Sequence, residues 1–277
     1  MGTLYLVATP IGNLEDITLR ALRVLREAPL VAAEDTRTTR ILFRRYGIDT
    51  PLTSYNDHNK RAKTPVLLEA LRTGDLALVS EAGMPGVSDP GHDLVVAAIA
   101  EGHTVTPVPG PSAVTAAVAA SGLPSRRFYY LGFLPKATGP RRRALAAVAS
   151  VPDTLVIFES PHRARATLED IRSTLGDRRV ALCRELTKVH ETILRGTVSE
   201  VLDALGPDVR GEVTLVVEGT AQPPTEVELD LDATIARLKA QGMTVRDAAA
   251  ALAGKASRRE VYRRWHAEER PSPPESR

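Results

Sequence analysis

Short apolar runs alternate with amphipathic stretches through the first 121 residues. The runs are too short for helices and are typical of buried strands. The predicted strands are residues 4–8, 30–33, 76–80 and 104–108. Helical periodicity is found in residues 19–28, 65–72, 93–100 and 112–120. This β-α-β order predicts a mostly parallel sheet with helices on both faces.

The first predicted helix has a candidate N-cap residue and a repeating apolar face. Thr18 precedes the run LRALRVLREA and has the side chain of a helix N-cap. Leu19, Leu22 and Leu25 recur at a spacing of three residues, which predicts one buried face.

The pattern restarts after the turn-forming segment at residues 121–125. Further strands are predicted at residues 128–133, 155–159, 180–184, 191–194 and 213–217. Helices are predicted at residues 163–175 and 198–205. The strand at 191–194 follows its predecessor too closely for a helical crossover, so part of this second sheet is expected to be antiparallel.

A proline-containing linker at residues 219–225 leads to three helical patterns that end near Glu269. The predicted organisation is an N-terminal α/β domain (1–121) with a mostly parallel sheet and a second α/β domain (122–220) with a mixed sheet. A small helical unit (226–269) and a Pro/Ser tail (270–277), expected to be disordered, complete the chain.

Composition narrows the functional classes. The 277 residues include one cysteine, Cys183, so an intrachain disulfide is impossible, and the six histidines form no metal-binding spacing. No metal site is therefore predicted. The N-terminus lacks the pattern of a signal peptide, and no apolar run approaches the roughly 20 residues of a membrane span. We expect a cytoplasmic protein without a membrane partner.

The net charge of +2 does not by itself indicate nucleic acid, but arginines are clustered. The clusters are Arg37, Arg40, Arg44 and Arg45; Arg141, Arg142 and Arg143; and Arg258, Arg259, Arg263 and Arg264. A local basic patch binds phosphate even when acids elsewhere balance the total. The alternative, that arginine simply covers solvated faces, stays open for each cluster.

The segment SEAGMPGVSDPG, residues 80–91, contains three glycines and two prolines and follows a predicted parallel strand. Glycine lets backbone approach a ligand closely, and proline fixes that backbone. The loops TPIGN (9–13) and PVPGPSA (107–113) also follow strands of this sheet. Carboxyl ends of parallel strands are where ligands bind, so the three loops predict a rigid cleft. Because GxGxxG and GxxxxGK[ST] are both absent, phosphate cradling is not the favoured use.

Eight motifs follow one another in order: TPIGNLEDIT, AEDTR, SYNDHN, SEAGMPGVSDPG, PVPGPSA, FESPHR, RELTKVHE and GEVTLVVEG. Over residues 3–219 the chain thereby resembles the 16S rRNA cytidine 2′-O-ribose methyltransferases, a family within the tetrapyrrole-methylase-like enzymes that use S-adenosylmethionine (SAM). One loop departs from the family, which more often has S-D-A-G-T-P where Glu81 and Met84 stand here.

The resemblance implies a tetrapyrrole methylase fold with SAM between two α/β domains, and a homodimer. It implies methylation of the ribose of cytidine 1402 in 16S rRNA of the 30S subunit. Methylation of a tetrapyrrole precursor is the alternative, and an RNA-binding assembly factor that retains the cleft is a third reading. The basic C-terminal helices favour an RNA substrate.

The resemblance places the cofactor against the tips of the three loops and a turn of the second domain. The expected SAM-binding residues are Pro10, Ile11, Gly12, Gly83, Val87, Ser88, Ser112, Ala113, Leu131 and Gly132. Phe133, in the same turn as Leu131 and Gly132, and the segment near Glu212 are further expected contributors.

Methyl transfer is an in-line displacement, so the enzyme aligns the acceptor oxygen with the methyl group. A general base would help, because a ribose hydroxyl is weakly acidic. The predicted catalytic residues are Glu34, Asp35, Glu159 and Lys188; Glu81, Glu185 and His58 are further candidates. Asp35 is equally a candidate helix N-cap, and Glu159 a residue that only fixes its loop. The identity of the general base stays open among these residues.

Basic side chains near the site and in the tail are expected to meet RNA phosphates. The predicted RNA-binding residues are Arg163, Lys188, Arg258, Arg259, Arg263 and Arg264. Residues 244–264 have the size of a helix-turn-helix unit with Gly254 at the turn. The alternative, that this unit packs at a dimer interface, stays open.

Overall fold

The first sheet was predicted to be mostly parallel, and all of its strand pairs are parallel. The computed structural model describes residues 2–220, 231–252 and 256–266. The strands are β1 (Thr3–Val7), β2 (Leu30–Ala33), β3 (Leu52–Ser54), β4 (Leu76–Val79) and β5 (Thr104–Val108), in the order β3-β2-β4-β1-β5. Strand β3 was not predicted, because three residues are too few to show a period.

Five helices belong to this half of the chain: α1 (Leu19–Glu27), α2 (Thr36–Tyr46), α3 (Lys60–Thr73), α4 (Gly91–Ala100) and α5 (Ala113–Ser121). The N-cap prediction for Thr18 is confirmed, since its hydroxyl accepts from the Ala21 amide at 3.1 Å. The prediction that Leu19 is buried is wrong: it is 86% exposed. At about 100° per residue it lies about 120° from Leu25, outside the buried face.

Helix α3 begins at Lys60, five residues earlier than predicted, and Pro65 lies inside it. The proline at the start of the apolar pattern suggested a first helical position. The preceding turn is instead secured by Asn59, whose carbonyl accepts from the amides of Ala62 and Lys63 at 3.0 Å.

The second sheet is mixed, as predicted. Its strands are β6 (Phe128–Phe133), β7 (Thr154–Glu159), β8 (Arg179–Arg184), β9 (Thr192–Thr197) and β10 (Val213–Val217), in the order β6-β7-β10-β8-β9. Strands β6 and β7 are parallel, whereas β10 and β9 pair antiparallel with their neighbours. The antiparallel pairing expected for β9 is confirmed.

Helices cover both faces of the second sheet. Helices α6 (Thr138–Ala146), α7 (Pro161–Leu175) and α8 (Val198–Ala204) contribute to one large apolar cluster. Helix α5 contributes Ala117 and Val118 to a second cluster, together with Val156, Ala181 and Val216 of the sheet. The boundary predicted at residue 121 therefore falls at the end of a helix that packs on the second sheet. Both sheets lie in one compact unit, Met1–Thr220.

A buried ion pair joins α6 to α7. The Arg141 guanidinium lies 2.6 Å from Asp170 Oδ2, and their side chains are 4% and 3% exposed. Arg142 donates to the other oxygen of Asp170 at 2.6 Å. Two arginines of the 141–143 cluster therefore stabilise helix packing through Asp170.

The chain after Thr220 forms a second compact unit. Its described helices are α9 (Leu231–Ala240), α10 (Val245–Ala251) and α11 (Arg258–Trp265), which share an apolar cluster centred on Ile235, Ala248 and Val261. The prediction of three helices is confirmed. Residues 221–225 of the predicted linker, Gly254 and the 270–277 tail lie outside the described residues. No helix in the described part of the chain is long and apolar enough to cross a membrane.

Candidate active site

The three Gly/Pro-rich loops meet at the carboxyl edge of the first sheet. Thr9 and Gly83 form an isolated antiparallel bridge, with N–H···O distances of 2.9 and 3.0 Å. Gly110 lies so close to Ala8 that a Cβ there would sit 2.9 Å from the alanine Cβ. The backbone of the three loops is therefore locked together, as the sequence predicted for a rigid cleft.

A cavity of about 440 Å³ opens between these loops and the second sheet. This volume is within the range of small-molecule sites. Its apolar lining includes Ile11, Met84, Val87, Ala113, Phe133, Phe158 and Leu186. Its carboxylates are Glu34, Glu81, Asp89, Glu159 and Glu212.

The expected SAM-binding residues divide into two groups. Ile11, Gly83, Val87, Ser88, Ser112 and Ala113 line the cavity. Pro10, Gly12, Leu131 and Gly132 are not among its lining residues. Gly12 instead packs against Lys188, whose Cγ would lie 2.5 Å from a Cβ at that position, and Gly132 lies against the Ser88 hydroxyl. Both glycines therefore contact residues of the site without lining the cavity themselves.

The cavity wall at residues 86–91 is held by side chains of its own loop. The Asp89 carboxylate accepts from the Gly86 amide at 2.8 Å and from the Gly91 amide at 2.7 Å. Ser88 has a left-handed backbone, with φ 65°, and its hydroxyl is 2.7 Å from the Tyr130 hydroxyl. A non-glycine residue in this region is held there by its surroundings, as is common at ligand sites.

Glu34 directly follows β2 and reaches the cavity. Within the described residues its carboxylate accepts one hydrogen bond, from the Glu81 amide to Oε2 at 3.1 Å. Burial raises the pKa of Glu34, and the negative charges of Asp89 and Glu81 raise it further. A carboxylate with a raised pKa that faces a cavity has the properties of a general base.

Asp35 follows Glu34 but serves the next helix. Its carboxylate caps α2, accepting from the Arg37 amide at 2.7 Å, and pairs with the Arg37 guanidinium at 2.7 Å. The hydrogen bond from the Arg37 side chain is the main reason why the pKa of Asp35 is lowered to about 2. Asp35 does not line the cavity. Asp35 was a candidate both for catalysis and for capping a helix, and the structure shows it as the N-cap of α2.

Glu159 lines the cavity, yet its oxygens are occupied. They accept from the Ser160 amide at 2.7 Å, from Arg163 at 2.7 and 2.8 Å, and from the Thr167 hydroxyl at 2.6 Å. Arg163 also donates to the Leu134 carbonyl at 3.0 Å and is only 21% exposed. Both side chains therefore brace the connection from β7 to α7, and the guanidinium of Arg163 faces Glu159.

Lys188 lies in a small acidic cluster. Its Nζ is 2.9 Å from both Glu185 Oε1 and Glu212 Oε2. Burial lowers the pKa of Lys188, but the hydrogen bonds to Glu185 and Glu212 outweigh it, so the pKa is raised. A lysine with a raised pKa stays protonated, which argues against a role as base.

The arginines of α11 are partly neutralised within their own unit. Arg264 lies 2.8 Å from Asp232 and 3.1 Å from Glu260, and Arg263 lies 3.8 Å from Glu260. The Arg258 guanidinium stacks over the Tyr262 ring at 5.6 Å. Arg259 is exposed.

Two aromatic residues line the cavity: Phe133 belongs to the turn at residues 131–133 that was expected to contribute to the site, whereas Phe158 was not predicted. Phe133 and Phe158 end or nearly end the neighbouring strands β6 and β7, and their rings meet edge to face at 5.6 Å. Phe133 is 61% exposed. The available signal for Phe158 was its position near the carboxyl end of a predicted strand, the position already used for the loops.

Comparisons with known proteins agree with this geometry. The family model for tetrapyrrole (corrin/porphyrin) methylases matches residues 3–202. The chain belongs to the tetrapyrrole methylase family. The family assignment makes it a methyltransferase and confirms the resemblance carried by the eight motifs.

Relatives and a solved structure refine the assignment. The chain is 50% identical over 230 residues to the ribosomal RNA small subunit methyltransferase I of Halalkalibacterium halodurans, covering 82% of this chain and 80% of the relative. It is 41% identical to the protein of that name from Bacillus subtilis, covering 96% and 94%. A uroporphyrin-III C-methyltransferase from Thermus thermophilus, complexed with S-adenyl homocysteine, superposes with a TM-score of 0.55 at 24% identity, covering 78% and 97%. That likeness shows the fold.

Proposed function

We propose that this protein transfers the methyl group of SAM to the ribose 2′-hydroxyl of cytidine 1402 in 16S rRNA. The observation that carries the substrate is the identity of 41% over 276 residues to a ribosomal RNA small subunit methyltransferase I, because it covers 96% of this chain. The cavity supplies the matching site, with a rigid backbone wall and the Glu34 carboxylate, which accepts a hydrogen bond from the Glu81 amide.

The residues present fit SAM. Apolar side chains of Ile11, Val87 and Ala113 lie beside backbone at Gly83 and Ser112, which suits a ligand with both apolar and hydrogen-bonding parts. A distant protein of this fold holds S-adenyl homocysteine, the product left when SAM loses its methyl group. When bound, SAM supplies a methyl group activated by its positively charged sulfur.

The chain's own contribution is alignment and proton removal. The locked loops hold the cavity wall in place, so the cost of ordering the site is met during folding and not during the reaction. Glu34 accepts the proton of the ribose hydroxyl as the oxygen attacks. Its neighbours Glu81 and Asp89 repel its negative charge and favour that proton uptake.

The alternative is methylation of a tetrapyrrole precursor, which the family description includes. The relatives at 41–50% identity are named for ribosomal RNA, whereas the tetrapyrrole enzyme above shares only 24% identity. The RNA substrate is therefore favoured.

Labelled-methyl transfer tests the substrate. Purified 30S subunits, naked 16S rRNA and a uroporphyrinoid precursor are each incubated with the protein and SAM labelled on the methyl group. We expect label in 16S rRNA, with the 2′-O-methyl mark mapping to cytidine 1402 and no transfer to an RNA that has deoxycytidine there. Label in the precursor alone would establish the alternative, and no transfer at all with intact SAM binding would favour an assembly factor.

Placement of SAM is tested by filling the cavity. Ala113→Trp introduces a large ring at the N-terminus of α5, and titration calorimetry should show loss of SAM binding. The matched control is Ala119→Trp, on the exposed side of the same helix, which should bind SAM like the native chain. Full SAM affinity in Ala113→Trp would contradict the placement.

The homodimer and the cytoplasmic location stay predictions. Light scattering at several protein concentrations measures the first: a mass near twice 29.9 kDa is expected. Cell fractionation measures the second.

A further inference from the structure

A basic groove runs beside α2, outside the cavity described above. It has a volume of about 770 Å³ and is lined by Arg37, Arg40, Phe43, Arg44, Gly47, Ile48, Asp49, Thr50 and Leu52. One wall is α2, and the lining reaches β3, the edge strand of the parallel sheet. Asp49 is the one acidic side chain among these described lining residues. Three arginines against one acid give the groove a positive charge.

The three arginines share one face of α2. They stand at positions i, i+3 and i+7 of the helix, so they form a row about 10 Å long. Arg40 and Arg44 are exposed, and within the described ranges no acidic group lies within ion-pair distance of either. The Arg44 Nε donates a hydrogen bond to the Arg40 carbonyl at 3.4 Å. These two cations are thus open to an external anion.

Arg37 can also bind an external anion when that anion replaces Asp35 as its partner. It pairs with Asp35, but its side chain is 87% exposed. Exposed ion pairs of this kind contribute little to stability, so a stronger anion displaces the carboxylate at low cost. The Asp35 cap on the Arg37 amide does not depend on the guanidinium.

The helix that carries the arginines begins beside the candidate active site. Glu34 lines the cavity, and Arg37 follows it by three residues at the start of α2. The row of arginines therefore leads away from the cavity along α2, from Arg37 in the first turn to Arg44 in the last turn. The ligand that fits such a row is a flexible polyanion with regularly spaced charges, and phosphates match arginine forks well.

We propose that the Arg37–Arg40–Arg44 face of α2 binds backbone phosphates of the rRNA strand that flanks the methylated nucleotide. The proposal rests on the rRNA substrate proposed above and adds where its strand lies. The proposal assigns phosphate binding to α2 and not to α11, because Arg263 and Arg264 of α11 already face Glu260 and Asp232.

The experiment compares salt dependence in the full chain. The double variant Arg40→Ala/Arg44→Ala is titrated with a single-stranded rRNA fragment that contains the target cytidine, from low to high salt. Each phosphate contact contributes about 0.7 to the slope of log K against log salt for single strands, so the slope should become shallower by about 1.4. KM for RNA should rise, while SAM affinity and melting temperature stay at native values.

The matched control is Arg20→Ala/Arg143→Ala, which removes the same charge from exposed positions on α1 and α6. It should keep the native slope. Arg40→Lys/Arg44→Lys should retain most of it, because the charges remain. If the alanine pair lowers the melting temperature, Arg40→Gln/Arg44→Gln keeps the aliphatic stems and takes its place.

A native slope in the Arg40/Arg44 variants, with rRNA methylation by the native protein intact, would overturn the proposal. An equal loss of slope in the control would also overturn it, since binding would then depend on total charge. Failure of the proposed function gives another result: the native protein transfers no methyl group to rRNA, whatever its slope.

Discussion

Two glutamates occupy matching places in the two sheets but have different surroundings. Glu34 directly follows β2 and Glu159 ends β7; each precedes a helix and lines the same cavity. Glu159 accepts four hydrogen bonds, from Ser160, Arg163 and Thr167. Among the described residues, the Glu34 carboxylate accepts one hydrogen bond, from the Glu81 amide. The chemistry of a strand-end carboxylate is therefore set by the donors around it.

The following residues explain the difference. Arg163 lies four residues after Glu159 in the first turn of α7, so it folds back onto the carboxylate, and Thr167 follows one turn later. After Glu34, the first cation is Arg37, and it pairs with Asp35. The cation nearest in sequence is thus paired with Asp35, and Glu34 forms no ion pair within the part of the chain that the structure describes.

The largest expected effect is on catalysis. Glu34→Gln keeps an acceptor for the Glu81 amide but removes the base, so kcat for rRNA methylation should fall on the order of 10² to 10⁴-fold. Single-turnover methyl transfer measures this, with unchanged SAM affinity as a check on folding. Glu81→Gln is the matched control, an exposed neighbouring carboxylate, and should lose far less. Native kcat in Glu34→Gln would remove Glu34 from the mechanism.

The corresponding effect at Glu159 is on stability. Glu159→Ala leaves Arg163 and Thr167 without their partner, and breaking a buried pair in this way costs about 3–5 kcal/mol of unfolding free energy. Denaturant titration measures the loss, and Glu159→Gln should lose less because it retains hydrogen-bonding atoms. Well below the melting temperature, methyl transfer should fall much less than in Glu34→Gln. The reverse order of the two activities would break the comparison.

The pH dependence sharpens the role of Glu34. Burial raises its pKa above the ordinary 4.5, so kcat/KM should rise with pH along an acid limb above 4.5 that disappears in Glu34→Gln. The folded protein also holds this proton more tightly than the unfolded chain. Stability should therefore fall as pH rises from 4.5 through the raised value, and Glu34→Gln should flatten that fall. An acid limb that persists unchanged in the variant would assign it to another group.

The smallest expected effect is at Asp35. Asparagine caps helices as well as aspartate does, so Asp35→Asn should keep α2 and a kcat close to the native one. Asp35→Ala removes the cap and should lower the melting temperature while leaving the catalytic residues in place. Thermal unfolding and single-turnover assays on both variants measure this. A kcat for Asp35→Asn as low as that of Glu34→Gln would mean that the adjacent carboxylates act together.

Local patterns were sufficient for much of the architecture. Strands β2, β5, β6 and β10 begin and end at the predicted residues. For β2 and β10 the reason is that a buried strand is a continuous apolar run bounded by turn-forming residues. The short β3 and the arginine-rich α6 gave no such signal. Helix α5 was predicted, but its pattern carries no information about which sheet the helix covers.

The sequence by itself determined the two α/β sheets, the three glycine- and proline-rich loops and, through the order of its motifs, the methyltransferase family. These depend on local backbone preferences and on residues close together in the chain. Only the tertiary structure decided which charged groups are free: it joined Glu159 to Arg163, Lys188 to Glu185 and Glu212, and left Glu34 facing the cavity. The reason is that the reactivity of a carboxylate depends on the donors and charges that folding brings around it, and most of these come from distant parts of the chain.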